Sequence, residues 1–398
     1  PEGETTMRLP VIDADGHVMD RPEHFEEFLE PPFKPPRILI DPKTRTRYWL
    51  IDGKLIGRPP GPGMGVSTGF IDHPVHPVLG NKLPHMKAKD NGALEDIDGR
   101  LADLDQEGID IQVLYPTSML AAPFFRDKDW AAAMCRAYNN YVASRIKGQG
   151  RLKGVAVVPI QDPPAAIAEM RRAISELGFV GVMVTGVVGN GNNVKTLDHP
   201  DFFPFFEAAD RLNTAVAVHS VAGAYDLPWA DIFDKFFYSH SVAHPFTQMI
   251  GLMTILGGGL VERLRNIRFA ILETSCGWLP FWLWWLDGHY AEPRFLSDIK
   301  TMFGEDPLPY LRRPPSEYLR EGRIYFHAHE KEPLLPLICE MGLEDQLMYA
   351  SDYPHDDAEF PGSVELFRRR KDISDEVKAK ILGSNAARFY RLSVEVAG

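Results

Sequence analysis

Several stretches of this chain carry metal-capable side chains where apolar runs end. In Val11-Ile12-Asp13-Ala14-Asp15-Gly16-His17, Asp15 and His17 are two residues apart. Residues i and i+2 of a strand face the same side, so both can reach one ion. Four later apolar runs end alike: 215–219 in His219, 267–273 in Glu273, 324–329 in His327 and His329, and 347–352 in Asp352. Imidazole nitrogens and carboxylate oxygens bind divalent ions. A bound ion with an open position activates water or polarises substrate, and a nearby carboxylate moves the proton. His244, just before Pro245, and His355, three residues past Asp352, extend the set. One Asp-x-His pair alone reads equally well as a polar strand end. Recurrence at matching places is what points to a common ion.

Something must bring these ends together. Strands are expected at 11–17, 111–116, 152–159, 180–184, 215–219, 267–273, 324–329 and 347–352. From residue 94 onward, helical stretches alternate with them, with stop signals such as Gly108 and Gly178. The fold class is therefore α/β, with a parallel sheet. Eight units predict a distorted (β/α)8 TIM barrel; a doubly wound open sheet is the alternative. A barrel places functional groups at the carboxyl ends of its strands, where these residues stand. Pro245 reads as the first turn of a helix, which puts His240 and His244 near that helix's start. His327 and His329 share one strand face, lining a pocket or packing in the barrel core. The helix at 279–290, with Phe281, Trp282, Trp284 and Trp285, reads as buried on several sides or as a subunit interface.

Residues 1–398 read as a single domain, with 31–92 an insertion after the first strand. Within it, 47–56 is a hairpin turning at Asp52-Gly53. Residues 57–89 form a Gly-, Pro- and His-rich loop that holds His73, His76 and His85. Hydrophobic content is 44% and charged content 25%, as in soluble globular chains. The net charge of −12, with one short basic cluster at 368–371, argues against nucleic acid. No apolar run is long enough for a membrane span, and the first ten residues lack a signal-peptide core. Three widely spaced cysteines suggest reduced thiols and a cytoplasmic location.

Asp15-x-His17, His219 and Ser351-Asp352-Tyr353-Pro354-His355 together resemble the amidohydrolase superfamily. Within it the chain is similar to the amidohydrolase-2 branch, which includes aminocarboxymuconate-semialdehyde decarboxylase. His244-Pro245-Phe246, Glu273 with Gly277-Trp278-Leu279-Pro280, and 384–390 add to the likeness. It implies one or two divalent ions (zinc, iron or manganese) at the mouth of the barrel. Asp15 and His17 would be the first ligand pair, His219 the fifth-strand ligand, and Asp352 a ligand and general base. His244 would be a further ligand or a substrate partner; by position alone, His355, on the loop past Asp352, orients Asp352, binds metal, donates a proton or meets substrate, and His329 and Trp278 line the substrate pocket. The chain departs from many members at Glu273, where they carry His. Glu273 ligates or bridges ions, or hydrogen-bonds a ligand histidine. The fourth strand has no lysine, so a bridging carbamate is not expected. The expected activity is hydrolysis or non-oxidative decarboxylation of a small organic substrate. The alternative is a dinuclear iron or iron–manganese oxygenase. A homo-oligomer, or an oligomer with a related subunit, is the expected assembly.

Overall fold

The computed structural model describes residues 10–21, 23–40, 42, 47–56, 92–189, 191–221, 233, 236–292, 301–302, 304, 306, 308–355 and 358–393. Eight parallel strands form one sheet: β1 (Ile12–Val18), β5 (Ile111–Pro116), β6 (Leu152–Val157), β7 (Gly181–Thr185), β10 (Ala215–His219), β11 (Arg268–Ile271), β12 (Ile324–Ala328) and β13 (Leu347–Tyr349). Their order around the sheet is their order along the chain. A doubly wound sheet reverses direction at its middle strand, so that alternative is excluded and the (β/α)8 barrel holds. Strands β1, β7, β10, β12 and β13 are buried along their whole length. Helices cover the outside of a barrel and the strands fill its interior, hence near-continuous Val, Ile and Ala.

The ring closes in an unusual place. No ladder joins β13 to β1; the segment just past β13 does the joining. Asp352 N–H donates to the Asp15 carbonyl at 2.9 Å and His17 N–H to the Tyr353 carbonyl at 2.7 Å. The closure therefore runs through the candidate ligand residues themselves.

Helix starts follow their caps. The helix Ile97–Glu107 begins after Asp96, whose carboxylate accepts from Gly99 N–H, and Gly108 ends it at φ +79°. Asp127 and Asp162 cap the helices Lys128–Arg145 and Pro163–Ser175 in the same way. His199 caps a short 3-10 turn, Pro200–Phe202, its ring beside Phe202 and the Asp201 carboxylate.

The insertion contains the expected hairpin, β3 (Arg47–Ile51) and β4 (Lys54–Ile56), with Asp52 and Gly53 both at positive φ as a two-residue I′ turn needs. A further strand, β2 (Arg37–Ile40), pairs antiparallel with β3. The Asp52 carboxylate accepts from Arg126 N–H at 2.9 Å, docking the turn on the barrel. Residues 57–91, with His73, His76 and His85, lie outside the described residues, as does Trp229.

Two expectations need correction. The helix that carries His244 runs from Phe236 to Gly257, so Pro245 lies inside it and not in its first turn. A proline there removes one backbone bond, to the carbonyl of Ser241, and the turns on either side sustain the helix. His240 and His244 consequently stand one turn apart, ring centroids 4.4 Å from each other. The aromatic helix Leu279–Ala291 is not buried on several sides within this chain. Leu279 and Leu283 face the core, whereas Phe281, Trp284 and Trp285 are exposed.

Candidate metal centre

Two histidines define the centre of the site. His17, in β1, and His219, ending β10, are fully buried. His17 Nδ1 donates to the Pro116 carbonyl at 2.8 Å and His219 Nδ1 to the Ser220 carbonyl at 2.7 Å. A carbonyl can only accept, so each Nδ1 carries a hydrogen and each Nε2, once free of any second proton, is the ring atom left to bind a cation. Carboxylates gather around those atoms. His17 Nε2 lies 3.5 Å from Asp15, 3.9 Å from Glu273 and 3.1 Å from Asp352. His219 Nε2 lies 3.3 Å from Asp15 and 3.2 Å from Glu273. One donor atom each from Asp15, His17, His219 and Glu273 falls within a 4.8 Å span. His17, Asp352 and His355 make a second, overlapping group.

Local backbone explains how the carboxylates reach inward. Strands β11 and β13 stop at Ile271 and Tyr349, earlier than their apolar runs suggest. Glu273 and Asp352 sit on the turns beyond, at φ +74° and +57°. Side-chain-bearing residues seldom adopt that region, at a cost of about 1 kcal/mol or more, and such residues collect at functional sites.

Negative charge dominates the side chains of the cluster. Burial and Asp352 oppose ionisation of Glu273, but His219 and His244 outweigh them and hold it at about 2. Burial likewise opposes the charge on Asp352; His355 and His17 keep its carboxyl well below the usual range. Burial would strip His219 of its proton, yet Asp15 and Glu273 hold its pKa well above the ordinary histidine value. The carboxylates thus demand positive charge, and a proton on His219 partly supplies it. Among the described residues, Asp15 Oδ1, His17 Nε2 and His219 Nε2 are buried without a well-formed hydrogen bond, and Asp352 Oδ1 meets only His355 Nδ1, at 2.7 Å, and His17 Nε2, at 3.1 Å. Buried polar atoms are rarely left so. Mixed nitrogen and oxygen donors, orphaned and converging, fit a divalent cation.

The remaining candidates separate. His355 stacks on His17 at 4.0 Å, with Nδ1 2.7 Å from Asp352 and Nε2 3.0 Å from Thr117 Oγ1. His244 is held neutral, its pKa lowered to about 4 by burial; its Nδ1 contacts Ser220 Oγ and lies 3.9 Å from Glu273. His240, His244, Glu273, His327, His329 and Asp352 all line one cavity of about 270 Å³. Trp278 does not line it: its indole donates to the Ser275 carbonyl at 3.1 Å and its ring meets Phe326 edge-on.

A buried network beneath the ligands was not anticipated. The Asp13 carboxylate accepts from Gln112 Nε2 at 2.7 Å, Ser351 N–H at 2.8 Å and Ser351 Oγ at 2.5 Å. Arg100, fully buried, donates to Gln112 Oε1 at 2.9 Å and to the His17 carbonyl at 3.0 Å. Strands β1, β5 and the turn past β13 are thereby fastened around Asp15, His17 and Asp352. Asp13 shares the strand parity of Asp15 and His17, which was the available signal. Gly16 is part of the same fit, because a Cβ there would lie 2.3 Å from Gln112 Nε2. Gly16→Ala should therefore cost roughly 1–3 kcal/mol by overpacking, read as a lower denaturant midpoint at unchanged slope. An unchanged midpoint would show that Gln112 moves aside freely.

Fold and site together define a (β/α)8 enzyme with a divalent-metal centre at the carboxyl ends of its strands. The Amidohydrolase family model matches residues 12–392, and the chain belongs to that family. It is 27% identical over 300 residues to the 2-amino-3-carboxymuconate-6-semialdehyde decarboxylase of Dictyostelium discoideum, covering 75% of this chain and 77% of that protein. In structure it resembles a dihydroxybenzoic acid decarboxylase from Polaromonas sp. JS666, solved with bound manganese and the inhibitor 2-nitroresorcinol. That likeness has a TM-score of 0.61 at 22% identity, over 74% of this chain and 85% of that one. An amidohydrolase from Mycobacterium avium subsp. paratuberculosis K-10 matches with a TM-score of 0.68 at 18% identity, over 97% and 99% of the two chains. The oxygenase alternative finds no support among these relatives. No helix among the described residues is long and apolar enough to cross a membrane.

Proposed function

We propose that this chain is a metal-dependent decarboxylase that removes carbon dioxide, without oxidation, from a small unsaturated or aromatic carboxylic acid. The observation that carries this is the meeting of the orphaned donor atoms of Asp15, His17 and His219 with the carboxylates of Glu273 and Asp352, the last two lining a cavity of about 270 Å³. The relatives favour decarboxylation over hydrolysis and manganese over zinc or iron. Asp15, His17, His219 and Asp352 would hold the ion, with Glu273 as a further ligand. When bound, it supplies a positive charge that anchors and polarises the substrate's carboxylate. Asp352 and His355, 2.7 Å apart, hold the transferable proton. That proton is delivered to the carbon bearing the carboxylate. The carbon–carbon bond then breaks, its electron pair stays with the carbon skeleton, and carbon dioxide departs. One proton is consumed, and no electron donor or acceptor is needed. Neutral His244 beside Glu273 can hydrogen-bond the substrate without adding charge.

We also propose a cytoplasmic enzyme that pairs with itself or with a related subunit. Free cysteines at 135, 276 and 339 suit a reducing compartment, and exposed Phe281, Trp284 and Trp285 suit an interface.

The test uses the intact protein, stripped with chelator and reloaded with manganese, zinc or iron. Carbon dioxide release from hydroxybenzoates and unsaturated acids should vanish on stripping and return best with manganese. Release that persists in chelated, metal-free protein would overturn the reading, as would turnover confined to esters or amides.

A further inference from the structure

Two side chains grip the turn that carries Glu273, one from each side. Gln248 is fully buried in the helix Phe236–Gly257, one turn beyond His244. Its Nε2 donates to the Val218 carbonyl and to the Leu272 carbonyl, both at 2.7 Å. Val218 precedes His219, and Leu272 precedes Glu273. A carbonyl can only accept, so both amide hydrogens of Gln248 are committed there. Past Glu273, Glu332 Oε2 accepts from Ser275 Oγ at 2.8 Å and from Gly277 N–H at 3.1 Å. Glu332 is itself held: its Oε1 accepts from Leu334 N–H at 3.0 Å, and Arg370 donates to its carbonyl at 2.8 Å. Gly277 leaves room for this carboxylate, because a Cβ there would lie 2.6 Å from both oxygens. Neither Gln248 nor Glu332 is among the described residues that line the cavity.

This turn has to be held. Glu273 and Ser275 both stand in the left-handed region, at φ +74° and +51°. Such backbone persists where its surroundings over-determine it. Gln248 fixes the carbonyl just before Glu273, and Glu332 fixes residues 275 and 277 just after it. The Gln248 amide also spans β10 and β11 where they end. It thereby sets the spacing of His219 and Glu273, whose Nε2 and Oε2 lie 3.2 Å apart. Ligand side chains bind an ion tightly when neighbouring groups fix their orientation. We propose that Gln248 and Glu332 are positioning residues that aim the Glu273 carboxylate at the ion without reaching it themselves. This rests on the reading above only in taking Glu273 as a ligand.

The experiment is calorimetric titration of manganese into the chelator-stripped full chain, with no substrate present. Glu273→Ala should weaken manganese binding about 10- to 100-fold, and Glu332→Ala and Gln248→Leu about 10-fold each. Glu332→Gln, which still offers an acceptor to Ser275 and Gly277, should lose no more than about 3-fold. In the double variant Glu273→Ala/Glu332→Ala the loss should match that of Glu273→Ala alone within about 2-fold, because nothing is left to position. A general loss of structure would instead multiply the two losses. Wild-type affinity in Glu332→Ala, or multiplied losses in the double variant, would overturn the inference. Glu332 is only partly buried, so its variants decide the matter even where Gln248→Leu does not fold. Unchanged affinity in Glu273→Ala would overturn it too, by removing Glu273 from the ligands. Wild type that binds manganese but releases no carbon dioxide from any acid would refute the decarboxylase reading and leave this inference standing.

Discussion

Asp352→Asn should lower kcat for decarboxylation by about three orders of magnitude while the barrel still folds. The amide keeps the size of the side chain but cannot carry the proton exchanged with His355, 2.7 Å away. The backbone should tolerate it. Asp352 sits at φ +57°, a region that asparagine enters more readily than most residues. Its N–H can still donate to the Asp15 carbonyl and close the ring. Melting temperature and circular dichroism should thus stay near wild type as turnover collapses. A kcat within tenfold of wild type would remove Asp352 from the proton path. Loss of manganese in this variant would assign the defect to ion binding, so metal content is measured on the same sample.

His219→Ala should abolish stoichiometric metal binding and, with it, metal-dependent stabilisation. An ion that binds only the folded chain stabilises it by about 4 kcal/mol at a thousandfold excess over its Kd, and the variant should show almost none of this. The pH dependence gives an independent reading. His219 has a raised pKa in the ion-free fold, so its stabilising contribution is complete below about 6.5 and is lost as pH rises through the raised value. Glu273 is lowered from 4.5 to about 2, so its contribution is complete above 4.5 and is lost as pH falls towards 2. Ion-free wild type should therefore be most stable between these limits and weaken on both sides. Manganese should remove the alkaline decline, because the carboxylates then face a cation that does not titrate away. Thermal melts across pH, with and without manganese, decide the matter. An alkaline decline unaffected by manganese would mean that His219 does not face the ion.

Both predictions depend on contacts between residues distant in the chain, and much of that arrangement could be read beforehand. Apolar runs ending in Asp15-x-His17, His219, Glu273 and Asp352 were visible because a parallel barrel strand is buried on both faces, so a polar side chain in it stands out against its apolar neighbours. The eight-fold alternation and the Asp52-Gly53 turn are local in origin. Each depends on a few neighbouring backbone groups, so each is written in neighbouring residues.

Other features are decided only when strands meet. Nothing in residues 236–245 says whether Pro245 begins the helix or lies within it, because a proline is tolerated in either place when the turns on both sides hold. The exposure of Phe281, Trp284 and Trp285 was hidden because composition reports how apolar a face is and not whether anything covers it. The left-handed turns at Glu273 and Asp352 arise where the strands release the chain towards the ion site. Asp13, Gln112 and Arg100 are scattered along the sequence, and their hydrogen bonds exist only once β1, β5 and the turn past β13 lie together. The types of ligand were therefore local information. Their convergence, the orphaned donor atoms and the grip of Gln248 and Glu332 on the Glu273 turn were set by tertiary packing, since burial takes away the water that would otherwise satisfy each group separately.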